Sequence, residues 1–200
     1  MFELTAGGTE TVLYSFTGGA DGGAPDAGVV TDPEGTLYDT TVFGGASNAG
    51  TVFKLGASGT ETALYSFTGG ADGSQPQVGL VRDSEGNLYG TTEIGGTSGA
   101  GVVFKVDTGG QETVRIHWGS GRGIPQGKPD QGLKGQLYGT TAGGGPSNHG
   151  VVFKVDTSGT ETVLHNSAGR AGARNPAAGL VLDSKGTLYG TAVYGGTSTE

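Results

Sequence analysis

The chain has 200 residues, 44 of them glycine and none cysteine, and 11 Lys or Arg against 19 Asp or Glu give a net charge of −8. That length suits one domain, the lack of cysteine excludes disulfide and thiolate-metal frameworks, and the negative charge argues against a nucleic-acid partner. Glycine follows no Gly-X-Y period, which excludes collagen, and no apolar run approaches the ~20 residues of a membrane span, so no membrane insertion is expected.

No charged-then-apolar leader opens the chain, so a secretory signal is expected to be absent or already removed. Phe2-Glu3-Leu4 comes first and reads as a short copy of V-F-K-L/V, which returns at 52–55, 103–106 and 152–155. T-E-T-V-L-Y-S-F follows at 9–16, returns with one change at 60–67, and decays at 111–118 and 160–166. Its glutamates, at 10, 61, 112 and 161, lie 51, 51 and 49 residues apart. L-Y-G-T stands at 88–91, 137–140 and 188–191, and its first copy is Leu37-Tyr38-Asp39-Thr40.

The second unit gives the clearest strands: 79–83, 87–92, 102–106 and 112–118. β-Branched and aromatic residues fill them, and Gly, Asp and Ser separate them. No stretch carries a helical period. Four short strands in about fifty residues are the mark of a β-propeller blade. The repeats run over about 3–54, 55–105, 106–154 and 155–200, all within a single domain. The expected fold is therefore an all-β propeller, four blades of four antiparallel strands. The last blade is expected to close by joining C-terminal strands to the N-terminal ones, which removes the open edge of the ring. A monomer is the expected state, and a dimer would instead favour half of an eight-bladed ring.

Gly86-Asn87-Leu88-Tyr89-Gly90-Thr91-Thr92, then Gly95-Gly96, then Val102-Val103-Phe104-Lys105-Val106, then Gly-Thr-Glu-Thr-Val-Leu-Tyr-Ser-Phe resemble the GloVer tandem repeat of bacterial proteins. The resemblance spans nearly the whole chain. It implies a propeller and secretion, with surface anchoring in many members, hence an extracellular or cell-surface location. It implies no activity, substrate or catalytic residue. The third unit departs from the pattern over 119–134, so its first strand is the least clearly marked.

By analogy with similar repeats, the Gly-Leu-Val strand lines the axis. Two loop types then share one face: between blades at 17–27, 68–78, 119–130 and 167–178, and within blades at 42–50, 93–101, 142–150 and 193–200. Long loops on a rigid scaffold are where function sits. On them Phe43, Ile94 and Tyr194 occupy one position before Gly-Gly, a platform for stacking sugars. Asn48, Asn148 and His149 would supply polar contacts beside it. This reading makes the chain a module that presents one face to a glycan or a surface protein. The alternative is a carbohydrate-active hydrolase. Asp39 replaces a glycine found at 90, 139 and 190, and with Glu93, Asp26 and Asp72 it could form a carboxylate cluster at the mouth.

Asp21 and Asp72 precede glycine and are expected to make Asx-type turns. Calcium is weakly supported, because one Asp per loop is sparse and units three and four have Arg122 and Gly172 instead. No other metal site is expected. His117 and His165 are read as equivalent outer-strand positions on different blades. Trp118 is expected to pack between blades. Asp32, Asp83 and Asp183 read as turn formers on the opposite face. The charge is uneven: residues 1–100 hold 2 basic and 12 acidic side chains (−10), and 101–200 hold 9 and 7 (+2).

Overall fold

The computed structural model describes residues 1–118, 125–132, 135–168 and 172–196. Strands β1 (Phe2–Leu4) and β2 (Glu10–Val12) pair in a two-stranded sheet. Blade one follows with β3 (Val30–Thr31), β4 (Leu37–Thr41), β5 (Thr51–Leu55) and β6 (Glu61–Ser66). Blade two holds β7 (Val81–Arg82), β8 (Leu88–Thr91), β9 (Val102–Val106) and β10 (Glu112–His117). Blade three holds β11 (Pro125–Gln131), β12 (Leu137–Thr141), β13 (Val151–Val155) and β14 (Glu161–Asn166). Strands β15 (Val181–Leu182) and β16 (Leu188–Tyr189) end the series as a second two-stranded sheet. Each sheet is antiparallel with strands in chain order, an all-β propeller architecture. Among the described residues no helix is long and apolar enough to cross a membrane.

Both faces of a blade are buried, so its strands split their side chains between two cores. Val102, Phe104 and Val106 of β9 meet Val52, Phe67, Leu80 and Leu88 at the seam of blades one and two. Val103 points the other way and meets Tyr89, Leu137, Val151, Phe153 and Val155 at the seam of blades two and three. One aromatic pair recurs at successive seams: Phe16 on Phe53, Phe67 on Phe104 and Trp118 on Phe153, all edge-to-face at 4.6–5.0 Å. Trp118 therefore packs between blades as expected.

The Gly-Leu-Val strands converge. A Cβ at Gly79 would stand 3.0 Å from the Gly28 carbonyl oxygen, and one at Gly179 would stand 2.9 Å from that of Lys128. On the short-turn face the aspartates form turns as expected. Asp32, Asp83 and Asp183 accept the N–H of Thr36, Asn87 and Thr187, and the hydroxyls of Tyr38, Tyr89 and Tyr189. Blade three lacks this aspartate, and the Tyr138 hydroxyl donates to Gln136 instead. Its departing segment still makes β11, with a bulge between Gln126 and Asp130. The Asp130 carboxylate accepts the N–H of Leu182, tying blade three to β15.

One expectation differs from the structure. Among the described residues β1 pairs with β2 alone and β16 with β15 alone. The two halves of the fourth blade thus stand apart, at opposite ends of the row of complete blades. Strands of two and three residues offer few ladder bonds to offset the entropy of bringing chain ends together.

Candidate ligand-binding face

The loop face is built by repeated hydrogen bonds from the second Thr of L-Y-G-T-T. The Oγ1 atoms of Thr41, Thr92 and Thr141 accept the N–H of Thr51, Val102 and Val151 at 3.0–3.1 Å. Each hydroxyl donates to the carbonyl two residues on, in Phe43, Ile94 and Gly143. The within-blade loop also locks to the loop between blades. Gly23 and Phe43 exchange two backbone hydrogen bonds, as do Ser74 with Ile94 and Arg174 with Tyr194. These bonds fix the two loop types on one face, as the repeat pattern suggested.

Phe43, Ile94 and Tyr194 therefore have fixed backbones, and their side chains remain 46, 41 and 59 % exposed. They do not pack beneath their own loops. The Arg174 guanidinium lies 5.6 Å from the centre of the Tyr194 ring, within cation–π reach.

The polar candidates serve mainly to shape the loops. Asn48 and Asn148 take positive φ angles of 54° and 51°, and their Oδ1 atoms accept the N–H of Gly44 and Gly144. His149 stands where the first two units have Ala49 and Ala100. Its carbonyl accepts the N–H of Asn175, as that of Ala49 accepts Gln75.

The structure also shows loop residues that sequence reasoning passed over. Ala24, Gln75 and Asn175 all have positive φ, 53–56°, each just before a proline. Prolines 25, 76, 125 and 176 are 51, 49 and 51 residues apart, a signal legible in the sequence. A Cβ at Gly50 or Gly150 would stand 2.7 Å from the Cδ of Pro76 or Pro176 in the next unit, so these glycines admit the proline.

The four acidic candidates have separate surroundings. Asp39 lies in the middle of β4, opposite Phe53, only 1 % exposed. Burial pushes its carboxyl up to about 6 against the pull of the Thr40 N–H, and Oδ1 has no hydrogen-bond partner. Glu93 accepts from the Gln77 amide. Asp72 accepts the N–H and hydroxyl of Thr68 and the hydroxyl of Tyr65, and Asp21 is held alike by Thr17 and Tyr14. Neither is the expected Asx-type turn, because these bonds run to residues four and seven positions upstream rather than to the backbone two residues on, and clasp the start of the loop. Asp26 is exposed.

Among the described residues no three His, Asp or Glu side chains converge as a metal site. Arg122 lies outside the described residues. The two strand histidines are not equivalent. His117 pairs with Val102, the register of Ser66, whereas His165 pairs with Val152, the register of Tyr65. That offset of one puts them on opposite faces of their sheets. His117 Nδ1 accepts the Thr97 N–H and steadies its own blade's loop.

The profile of the Gloeobacter/Verrucomicrobia repeat matches residues 1–200. The chain belongs to this repeat family. No curated protein matches it in sequence. Among solved structures the repeat chain is similar to a candidate gluconolactonase, at 16% identity and a TM-score of 0.52 over 82% of this chain and 56% of that one. It is similar also to a gluconolactonase from Xanthomonas campestris, at 16% identity and a TM-score of 0.53 over 82% and 55%. The chain thus spans little more than half the length of either. Likeness at this identity concerns the fold.

Proposed function

We propose that the chain is an extracellular or cell-surface binding module that presents its loop face to a glycan, free or on a surface protein. The observation that carries this reading is the exposure of Phe43, Ile94 and Tyr194 at one repeat position, each on a backbone fixed by paired hydrogen bonds. Fixed aromatic and apolar faces lose little entropy on binding and stack well on sugar rings. The location rests on the repeat family's association with secretion.

A thermal-shift screen against a glycan panel, with and without calcium, tests it. A ligand at 100 times its Kd stabilises by ~2.7 kcal/mol. The expected result is a shift that disappears in Phe43→Ala/Tyr194→Ala while the unliganded melting transition stays cooperative. A shift unchanged in that variant would refute the assignment of this face.

A second reading, a hydrolase acting on sugars or sugar lactones, draws on Asp39 and on the names of the two similar structures. It is the weaker reading, because Asp39 is shut off from solvent and Glu93 is engaged by Gln77. Turnover of a glycoside or gluconolactone that is lost in Asp39→Asn would favour it.

A further inference from the structure

The two ends of the blade row expose residues that the repeat buries elsewhere. Phe2 is 63 % exposed, whereas its equivalents Phe53, Phe104 and Phe153 are all at or below 2 %. Val181 and Tyr189 are 65 and 57 % exposed, against 8 % for both Val81 and Tyr89. Beside β1 lies a groove of about 430 Å³ lined by Phe2, Leu13, Val29, Leu37 and Leu55.

The interior of the molecule shows what fits that groove. Tyr89 of blade two packs on Leu137, Phe153 and Val155 of blade three. Tyr189 is the repeat equivalent of Tyr89, and Leu37, Phe53 and Leu55 are the equivalents of those three. The backbone edges also match. β8 pairs with β9 through Leu88↔Val106 and Tyr89↔Lys105, so β16 would pair with β1 through Leu188↔Leu4 and Tyr189↔Glu3.

We propose that two copies of the chain associate head to tail, β15–β16 of each filling the groove beside β1 of the other. The structure leaves a chain's own two ends unpaired. Two reciprocal contacts close the assembly and leave no heterologous edge to grow filaments. With three complete sheets per copy, it holds six complete blades and two composite ones.

Sedimentation velocity and a cysteine pair test this. The chain has no cysteine, so in Leu4→Cys/Leu188→Cys any disulfide reports the new pairing. The expected results are a mass twice the 19.8 kDa of one chain and a two-chain band on a non-reducing gel. Tyr189→Asp should then sediment as a monomer with an unchanged β-sheet circular dichroism spectrum. A monomeric parent chain, a disulfide confined to single chains, or assemblies growing beyond two copies would each overturn the proposal.

Discussion

Asp39 shows how one substitution changes a repeat position. Its equivalents are Gly90, Gly139 and Gly190, and the carboxylate put in their place is buried with an oxygen unpartnered. Burial favours the neutral acid, so the folded state holds the proton up to about pH 6, beyond its usual carboxylate value of 3.8. The stability linked to this proton is complete below pH 3.8 and is lost as the pH rises through 6. Asp39→Asn removes the titration. Urea unfolding of variant and parent should therefore show a difference that grows in the variant's favour between pH 3.5 and 7, by at most about 3 kcal/mol. A difference independent of pH would mean that Asp39 is solvated in the folded protein. Glu112 behaves alike: burial, then the nearby Asp72 charge, push it up to about 7. Asp72 itself goes the other way, because burial raises it but the Thr68 and Tyr65 hydrogen bonds outweigh that and lower it.

At the scale of the strand, the glycine of L-Y-G-T makes room for the phenylalanine ring opposite it in blades two and three, whereas blade one accommodates Asp39 at this position. A Cβ at Gly139 would stand 2.5 Å from the Phe153 ring across the strand pair. Gly139→Ala should cost about 1–3 kcal/mol by overpacking. Gly28→Ala, where a Cβ meets nothing within 4 Å, should change the urea midpoint little. Equal effects would remove packing as the reason for the glycine. The strands themselves were legible in the sequence, because β-branched runs between glycine turns repeat with almost constant spacing. The turn aspartates and the seam position of Trp118 were legible for the same reason. Register was legible too: counted from the repeat glutamates, His117 lies five residues after Glu112 and His165 four after Glu161, the same offset of one that the ladder shows. The exposure of Phe43, Ile94 and Tyr194 was only half legible. Their shared position could be read, but the backbone bridges to Gly23, Ser74 and Arg174 join residues about twenty apart that no local pattern links. The failure of β1 to meet β16 was likewise hidden, since matching strand phrases do not reveal the curvature that would bring them together.

For the molecule as a whole, the two seams form separate clusters with no shared member. Such an array behaves as units coupled only to their neighbours. Milder changes at each seam, Phe67→Leu and Trp118→Phe, should then lower stability by amounts that add within about 0.5 kcal/mol in the double variant. A larger discrepancy in chemical denaturation would show that blade two transmits strain from one seam to the other. The buried tryptophan has one further consequence. It is the only tryptophan in the chain, is fully enclosed, and lies edge-on to Phe153. Intrinsic fluorescence excited at the indole band thus comes from a single interblade contact, so its emission maximum and its quenching by added iodide report whether blades two and three have parted, without any attached dye.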